Sequence, residues 1–575
     1  MSVLGIGDSH DSGAALISNG IPEGAVNEER FTKRKNEVGF PGNSIRYLQG
    51  RSGSDVQAVA LAWIGGNALI SRLVPSWDQK RRSMWRKEVP KQSRLGMHAS
   101  NLVYKLIQNQ RPRSLWKFVG SGISKTVTAR RLQRISGELS GKKIYMVEHH
   151  LAHASSAYYP SGFKEALIIT LDGAGDGLSG TVSIGDNGSI ERIAEFDASA
   201  SLGIFYGAAT VACDMRYSED EGKLMSLAAY SYPKRIPELG DICSYDKASR
   251  KLVSRTGTRN ELLLGEYMRD HILSRNDRES FAYAVQEHVS DQVVGIVRQW
   301  VRETGIHNVA LSGGFFSNVI TNMLVEQMPE VKRLFVFPQM GDGGIPFGAA
   351  AYVDFMLNGR FSKEQISDIY FGPSYTNSEI AESLKAAKRR GITYEELKDP
   401  ARYGAELIAN NRILLWFQGG MEYGPRALGN RSVLALPSDS ENRNRINLTI
   451  KERPYYQPFA SSVLDGEAKR LFSDYLSQNK FMTGANHVRD AHYGKMVAAS
   501  HVDHTTRPQI LGRENRLYYE LIENVKKRTG TGALLNTSLN KHGKPMVMSP
   551  EDALWTLENT GADTLIMGNY IIKKR

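Results

Sequence analysis

The sequence predicts an α/β protein of two domains, the first built on an internal duplication. Three observations carry that prediction. A pattern of strand, polar turn, strand and hairpin occurs twice, at residues 3–30 and again at 166–189. After it come helical periodicity and short apolar strands ending in glycine-rich turns, the alternation expected of α/β units. The text then changes near residues 358–378, where Asn358-Gly359, Gly372-Pro373 and Thr376-Asn-Ser378 cluster. That places domains at 1–360 and 361–575, and a chain of 575 residues is too long for one ordinary domain.

Taken in order, residues 3–7 read as a strand, 8–13 as a polar turn and 14–17 as a second strand. Ser18-Asn-Gly20 is a hairpin signal, and the chain returns through residues 24–30. The second copy runs through a strand at 166–171, the turn Asp172-Gly-Ala-Gly-Asp-Gly177, a strand at 180–184 and a hairpin at 185–189. Two such halves facing each other are how actin-like ATPases build a cleft, with glycine-rich turns able to approach phosphates. Glycines serve ordinary tight turns equally well. A helix is predicted over 281–301 from Val285, Val289, Val293, Val294 and Val297. Strands follow at 309–311, ending in Ser312-Gly-Gly314, and at 334–337, ending in Pro338-Gln-Met-Gly-Asp-Gly-Gly344; the small residues 348–351 open the next helix. The second domain has strands of its own at 413–417 and 533–535.

Composition narrows the function classes. A chain 41% hydrophobic and 23% charged is not disordered, collagenous or a coiled coil. Its best apolar run, residues 58–64, is far short of the roughly 18 residues a membrane span needs, so no membrane partner is expected. Cys213 and Cys243 cannot make a disulfide scaffold or a cysteine zinc site. With no basic region followed by an apolar one at residues 1–8, the expectation is a reduced, cytoplasmic protein without a secretory signal. The net charge of +12 is local: residues 72–143 hold 18 Lys and Arg against three acids, together with Trp77, Trp85 and Trp116. This basic insertion reads either as a solvated helical element packed by its tryptophans or as a surface for an anionic partner, a nucleotide or nucleic acid such as DNA.

Three groups of residues could carry chemistry. In Glu148-His-His-Leu-Ala-His153, His149 and His153 are i and i+4, so on a helix they share a face while His150 points elsewhere. Such a pair is either two packed histidines or two ligands for one metal ion. Asp172 and Asp342, at the ends of predicted strands, would complete a set suited to iron, manganese or zinc. In Gly419-Gly-Met-Glu-Tyr-Gly-Pro-Arg-Ala-Leu-Gly-Asn-Arg-Ser432, Arg426 and Arg431 sit among glycines straight after a strand, with Lys451, Arg453, His501, Asp503 and Arg507 downstream. Fixed cations beside glycines suggest an oxyanion site; surface arginines on a turn are the alternative. Asn536, Ser538 and Asn540 alternate onto one side if extended, as nucleotide contacts or as turn formers.

Together these phrases resemble the NodU/CmcH family of O-carbamoyltransferases over nearly the whole chain. The marks are His10-Asp-Ser-Gly-Ala-Ala-Leu16, Glu28-Glu-Arg-Phe31, His149-His-Leu-Ala-His153, Glu221-Gly-Lys-Leu-Met-Ser-Leu-Ala228, Gly313-Gly-Phe-Phe-Ser-Asn318, residues 338–350, Met421 to Ser432, His501-Val-Asp503 with Arg507-Pro-Gln509, and Asn536-Thr-Ser-Leu-Asn540. The resemblance implies a duplicated actin-like (ASKHA) N-terminal domain and a C-terminal YrdC-like α/β domain. It implies that the second domain converts carbamoyl phosphate and ATP, with Mg2+, to a carbamoyl adenylate. The first would then transfer the carbamoyl group to an acceptor hydroxyl and leave AMP. By position, His149, His153, Asp172 and Asp342 match the family's metal ligands, with iron(II) the implied ion, and His10 matches the general base. Lys223, Gly313, Gly314, Asn318, Asn536, Ser538 and Asn540 would meet the nucleotide or adenylate. Arg426, Arg431, Lys451, Arg453, His501 and Arg507 would meet carbamoyl phosphate. Two features depart from the family's pattern: the bulk of Phe315-Phe316 in the glycine-pair loop, and Gly420 where a basic residue is common.

The expectation is therefore an ATP-dependent O-carbamoyltransferase acting on a small natural product or sugar, or on a nucleotide or nucleic acid. A homodimer is carried as an open expectation. The alternatives are tRNA threonylcarbamoylation and a non-catalytic nucleic-acid-binding protein on the same scaffold.

Overall fold

Two sheets of one topology organise the first of two units. The computed structural model describes residues 2–51, 55–65, 67–74, 113–256, 260–387, 391–475 and 479–574, with positions 76, 79 and 83. It divides into two compact units, one of residues 1–29 and 36–366, the other of residues 30–35 and 367–575. Strands β1 (Ser2–Gly7), β2 (Gly13–Ser18), β3 (Ile21–Asn27), β4 (Val56–Ala62) and β5 (Lys143–Val147) form a sheet in the order β3-β2-β1-β4-β5. The second sheet is built from β6 (Glu165–Gly175), β7 (Leu178–Asp186) and β8 (Ser189–Asp197). After a small ribbon of β9 (Ser244–Asp246) and β10 (Lys251–Val253) it is completed by β11 (Asn308–Ser312) and β12 (Arg333–Val336), in the order β12-β11-β6-β7-β8. In each sheet the first three strands are antiparallel hairpins and the last two run parallel to the first.

The segment read as a polar turn at 172–177 is mostly strand. Strand β6 continues to Gly175 with a register shift after Leu171, and only Asp176 and Gly177 turn, both with positive φ. The shift bends the strand and re-aims Asp172, which is what an extra residue in a ladder does. The helix read at 281–301 spans Arg278–Thr304, capped by Asp277 and ended by Gly305 with φ +70°. Helix Ile345–Asn358 packs against helix His149–Tyr158 at glycine distance: a Cβ on Gly348 would lie 1.8 Å from the Ala152 carbonyl. No helix among the described residues is long and apolar enough to cross a membrane.

The second unit holds one mixed sheet. Its strands are β13 (Ile392–Glu396), β14 (Leu414–Phe417), β15 (Arg431–Ala435), β16 (Ala460–Leu464), β19 (Pro508–Leu511), β20 (Ala533–Ser538), β21 (Thr564–Met567) and β22 (Tyr570–Lys574), in the order β13-β22-β21-β14-β15-β20-β16-β19. A short ribbon, β17 (Asn486–His487) with β18 (Thr505–Thr506), stands apart. Alternation along β14 shows why the run is apolar throughout: Leu415 and Phe417 enter one core, Leu414 and Trp416 the other. A sheet covered on both faces leaves no position for polar alternation.

Candidate functional site

In the first unit the candidate residues gather beyond the carboxyl ends of β1, β4, β5, β6, β11 and β12, the edge at which α/β sheets bind ligands. His149 opens the helix after β5, and Glu148 caps that helix by accepting from the Leu151 amide while pairing with Arg192. The helix sets His149 and His153 on one face. Asp172 comes from the bent end of β6 and Asp342 from the loop after β12. One ligand atom from each of the four lies within 4.8 Å of the others. His149 Nε2 is 3.2 Å from Asp172 Oδ2 and 3.7 Å from Asp342 Oδ1; His153 Nε2 is 3.3 Å from Asp342 Oδ1 and 3.9 Å from Asp172 Oδ2.

Electrostatics couple these groups. Burial works against charge on His149, but Asp342 and Asp172 outweigh it and raise its pKa to about 9. Burial alone would raise Asp172; the hydrogen bond from His149 and the charges of His153 and His149 hold it well below the usual carboxylate range. His150 does point away. It bonds Thr170 Oγ1 at 2.9 Å and the Leu178 carbonyl at 3.1 Å, and burial pushes its pKa down to about 3. His10, on the turn between β1 and β2, stands at the rim of the cluster with its side chain a quarter exposed. Its Nε2 is 3.0 Å from Asp342 Oδ2, an ion-pair distance off the hydrogen-bonding axis, and its Nδ1 is 3.3 Å from Asp11 Oδ2.

Two residues at this site escaped sequence reasoning. Trp63, just past β4, is buried with φ +74°, an outlier for a bulky residue. Its ring lies 4.4 Å from that of His149 and 5.6 Å, edge-on, from that of His10. Asp176 accepts from the amides of Ile64, Gly65 and His149, joining the end of β4 to the start of the histidine helix. Its place in a Gly/Asp-rich turn was the only available sequence signal for Asp176; Trp63 had none beyond lying in an apolar run.

The glycine pair has a definite task. Gly313 has φ +109°, a Cβ there would stand 2.1 Å from the Leu171 carbonyl, and the Gly314 amide donates to Asp172 Oδ1 at 2.9 Å. Phe315 and Phe316 are both buried. Asn318 Oδ1 caps helix Val319–Glu326 and accepts from Gln286, while its Nδ2 donates to Gln286 Oε1 at 2.9 Å. Lys223 is paired with Asp220 at 2.7 Å.

In the second unit a π-helical turn, Asn447–Lys451, followed by Glu452 at φ +50°, places Lys451 and Arg453. Lys451 Nζ donates to neutral groups only, Ser538 Oγ and the carbonyls and side chain of Ser538 and Asn540. Arg453 donates to Asn447 Oδ1 at 2.7 Å and lies over the Phe459 ring. Among the described residues neither has a carboxylate partner, nor do Arg426 and Arg507. Burial pushes Arg453 down to about 9 and Arg426 to about 10; burial and then the charges of Arg426 and Arg453 hold Arg507 well below its ordinary value. The guanidinium groups remain charged, so these directions measure how poorly that charge is compensated. Arg431 is fully buried over Phe417 and donates to the carbonyls of Gln418, Gly419, Asn430 and Pro373. Asn536 donates to the Ala427 carbonyl and to Ser462 Oγ beneath the same loop, and Ser538 and Asn540 hold Lys451. His501 is buried, its Nδ1 accepting from the Val502 amide. Of the basic segment, residues 75, 77–78, 80–82 and 84–112 lie outside the described residues, Trp77 and Trp85 among them, as does the side chain of Trp116.

Comparison with known proteins agrees along both units. The family described as "Carbamoyltransferase N-terminus" matches residues 2–351, and "Carbamoyltransferase C-terminus" matches residues 405–574. Nodulation protein NolNO of Sinorhizobium fredii is 32% identical over 581 residues, spanning 98% of this chain and 79% of its own length. The 3'-hydroxymethylcephem-O-carbamoyltransferase of Amycolatopsis lactamdurans is 28% identical over 359 residues, 61% of this chain and 64% of that protein. Full-length HypF in its phosphate- and nucleotide-bound form aligns at 16% identity over 62% of this chain and 56% of that one, with a TM-score of 0.35, too slight a likeness to argue from. With both halves matched in order, this chain belongs to the carbamoyltransferase family.

Proposed function

We propose that the chain is an ATP-dependent O-carbamoyltransferase with its two half-reactions divided between an actin-like first unit and a YrdC-like second unit. The observation that carries the reading is the convergence of His149, His153, Asp172 and Asp342, with His10 at its rim. The donor set fits a metal. Two imidazole nitrogens and two carboxylate oxygens stand 3.2–3.9 Å apart along the measured edges. A tetrahedral shell at about 2.0–2.2 Å needs edges of about 3.3–3.6 Å. His153 Nδ1, 3.2 Å from Ser312 Oγ, has a second partner that fixes its ring. A borderline divalent ion, iron(II) by resemblance to the family, would supply charge stabilisation for a departing phosphate.

In the second unit, carbamoyl phosphate, ATP and water yield carbamoyl adenylate, phosphate and pyrophosphate. Arg426, Arg453 and Arg507 neutralise the phosphates, being cations without carboxylates of their own. In the first unit an acceptor hydroxyl attacks the carbamoyl carbon, the bond from that carbon to the AMP oxygen breaks, and His10 takes the hydroxyl proton. Activation is needed because the carbamoyl nitrogen donates into its own carbonyl and makes the group a poor electrophile. The acceptor is a small hydroxylated molecule. The nucleic-acid variant rests on the basic segment, and two of its arginines are engaged internally: Arg72 with Asp8, and Arg131 with the Arg72 carbonyl.

The test is pyrophosphate release from ATP by the full chain with iron(II), with and without carbamoyl phosphate, followed by mass spectrometry of candidate hydroxyl acceptors. Carbamoyl-phosphate-dependent release is the expected result. Release that instead requires bicarbonate and threonine would convert the reading to threonylcarbamoylation. Folded, metal-loaded protein with no ATP turnover under either condition would leave the non-catalytic reading.

A further inference from the structure

We propose that Arg72 is a positioning residue for carbamoyl transfer: its guanidinium clamps the turn that carries His10 to the strand end that carries Trp63. The proposal rests on the reading of His10 as the base. Sequence alone counts Arg72 as the first cation of a basic surface segment, yet its side chain is fully buried. Nε lies 3.0 and 2.9 Å from the two oxygens of Asp8, and Nη2 is 2.8 Å from Oδ1. Nη2 also donates to the carbonyls of Ala62 and Trp63, each at 2.9 Å, and Nη1 to Ser124 Oγ at 2.9 Å. Asp8 begins the β1–β2 turn two residues before His10, and Trp63 follows β4, the parallel neighbour of β1.

One planar fork therefore ties together two strand ends that share no hydrogen-bond ladder beyond Ile6 and Leu61. The same strand end is held from its other side by Asp176, through the amides of Ile64 and Gly65. Trp63 is gripped between them in a left-handed backbone conformation that a free chain would leave. Its ring stands 5.6 Å from that of His10 and 4.4 Å from that of His149, so the clamp helps to orient the base beside the cluster that His10 touches through Asp342. Lysine could keep the charge opposite Asp8 but could not reach two backbone carbonyls at once.

The experiment compares the full-length wild type with Arg72→Lys, which retains the buried charge, and with Trp63→Leu, which removes the wedge. Three readings are taken: amide hydrogen exchange, the pyrophosphate burst with ATP and carbamoyl phosphate, and AMP release with water as acceptor in the presence of cobalt(II). Arg72→Lys should speed exchange at residues 8–12 and 62–65 by at least about tenfold while helix His149–Tyr158 stays protected. Cobalt content and the pyrophosphate burst should hold, and AMP release should slow by about 100-fold, the cost of a misplaced base. Trp63→Leu should slow AMP release alike without loosening residues 8–9. Unchanged exchange at 8–12 would overturn the clamp, and a parallel fall in cobalt content, burst and AMP release would make Arg72 merely structural. A wild type that makes no carbamoyl adenylate would defeat the proposed function, while the exchange measurement would still decide the clamp.

Discussion

The two units hold charge in opposite ways. In the first, nearly every buried charge around the candidate site meets its opposite: Asp8 meets Arg72, Glu148 meets Arg192, Lys223 meets Asp220, and Asp172 and Asp342 meet histidines. In the second, Arg426, Arg453, Arg507 and Lys451 lie together with amides, hydroxyls and an aromatic ring for company. The first site is assembled by its own residues, four donors close enough together to hold one metal ion. The second is a set of like charges with no carboxylate partner among the described residues. Under the proposed function a cation completes the first and a phosphate the second, and the difference lies in which neighbours are withheld.

The sharpest way to break that contrast is His149→Ala. With one of four donors gone, metal content should fall to background and carbamoyl transfer by at least about 100-fold. Carbamoyl-phosphate-dependent pyrophosphate release should persist, since its cations belong to the other unit. Metal analysis and the two partial-reaction assays check this, and a joint loss of both reactions would remove the division of labour.

Arg507→Met tests the other half. Pyrophosphate release should drop about 100-fold, as for the loss of one oxyanion donor. Yet the ligand-free protein should melt higher, by about 2 °C or more, because a charge repelled by Arg426 and Arg453 has been removed. Saturating carbamoyl phosphate should stabilise the wild type by about 2.7 kcal/mol at a hundred times its Kd, and the variant by much less. Thermal scans with and without ligand decide it; a variant that melts several degrees lower would show the arginine to be structural.

The smallest effect lies in the His487–Asp474 pair, the compensated counterexample within the second unit. Its hydrogen bond to Asp474 raises the His487 pKa despite partial burial, and His487 holds Asp474 low against its own burial. Histidine stabilisation of this kind is complete below the unfolded pKa of about 6.5 and fades as pH rises through the raised value. The carboxylate's part is present above about 3.9 and fades as pH falls through the lowered value. With His487 43% exposed, the pair should contribute under about 1 kcal/mol. His487→Asn should therefore lower denaturant stability slightly at pH 5–6 and not at pH 9. A loss that is constant across this range would point to packing instead of charge.

Much of the site was legible because its signals are local. The i, i+4 spacing of His149 and His153 needs only a helix, and Asp172 and Asp342 needed only strand ends. The repeated strand order was readable from two hairpins with similar turns. What escaped depends on partners far along the chain. Arg72 and Asp8 are 64 residues apart, and a guanidinium counted in a basic stretch looks the same whether it faces water or a carboxylate. Arg426 and Arg431 share one glycine-rich phrase, and only the fold sends Arg431 inward onto four carbonyls and leaves Arg426 unmatched. The resemblance assigns Asn318 to the nucleotide, whereas its pairing with Gln286, 32 residues away, is visible only in the fold.

Trp63 has an optical consequence. Among the described residues its indole is the one that lies against His149, so its emission reports on a cluster that has no colour of its own. Cobalt(II) or iron(II) held by that histidine would quench this tryptophan in preference to more distant ones, and zinc, with no unpaired electrons, would leave it bright. Occupancy of the site, and the exchange of one ion for another, could then be followed in a cuvette before any acceptor is known.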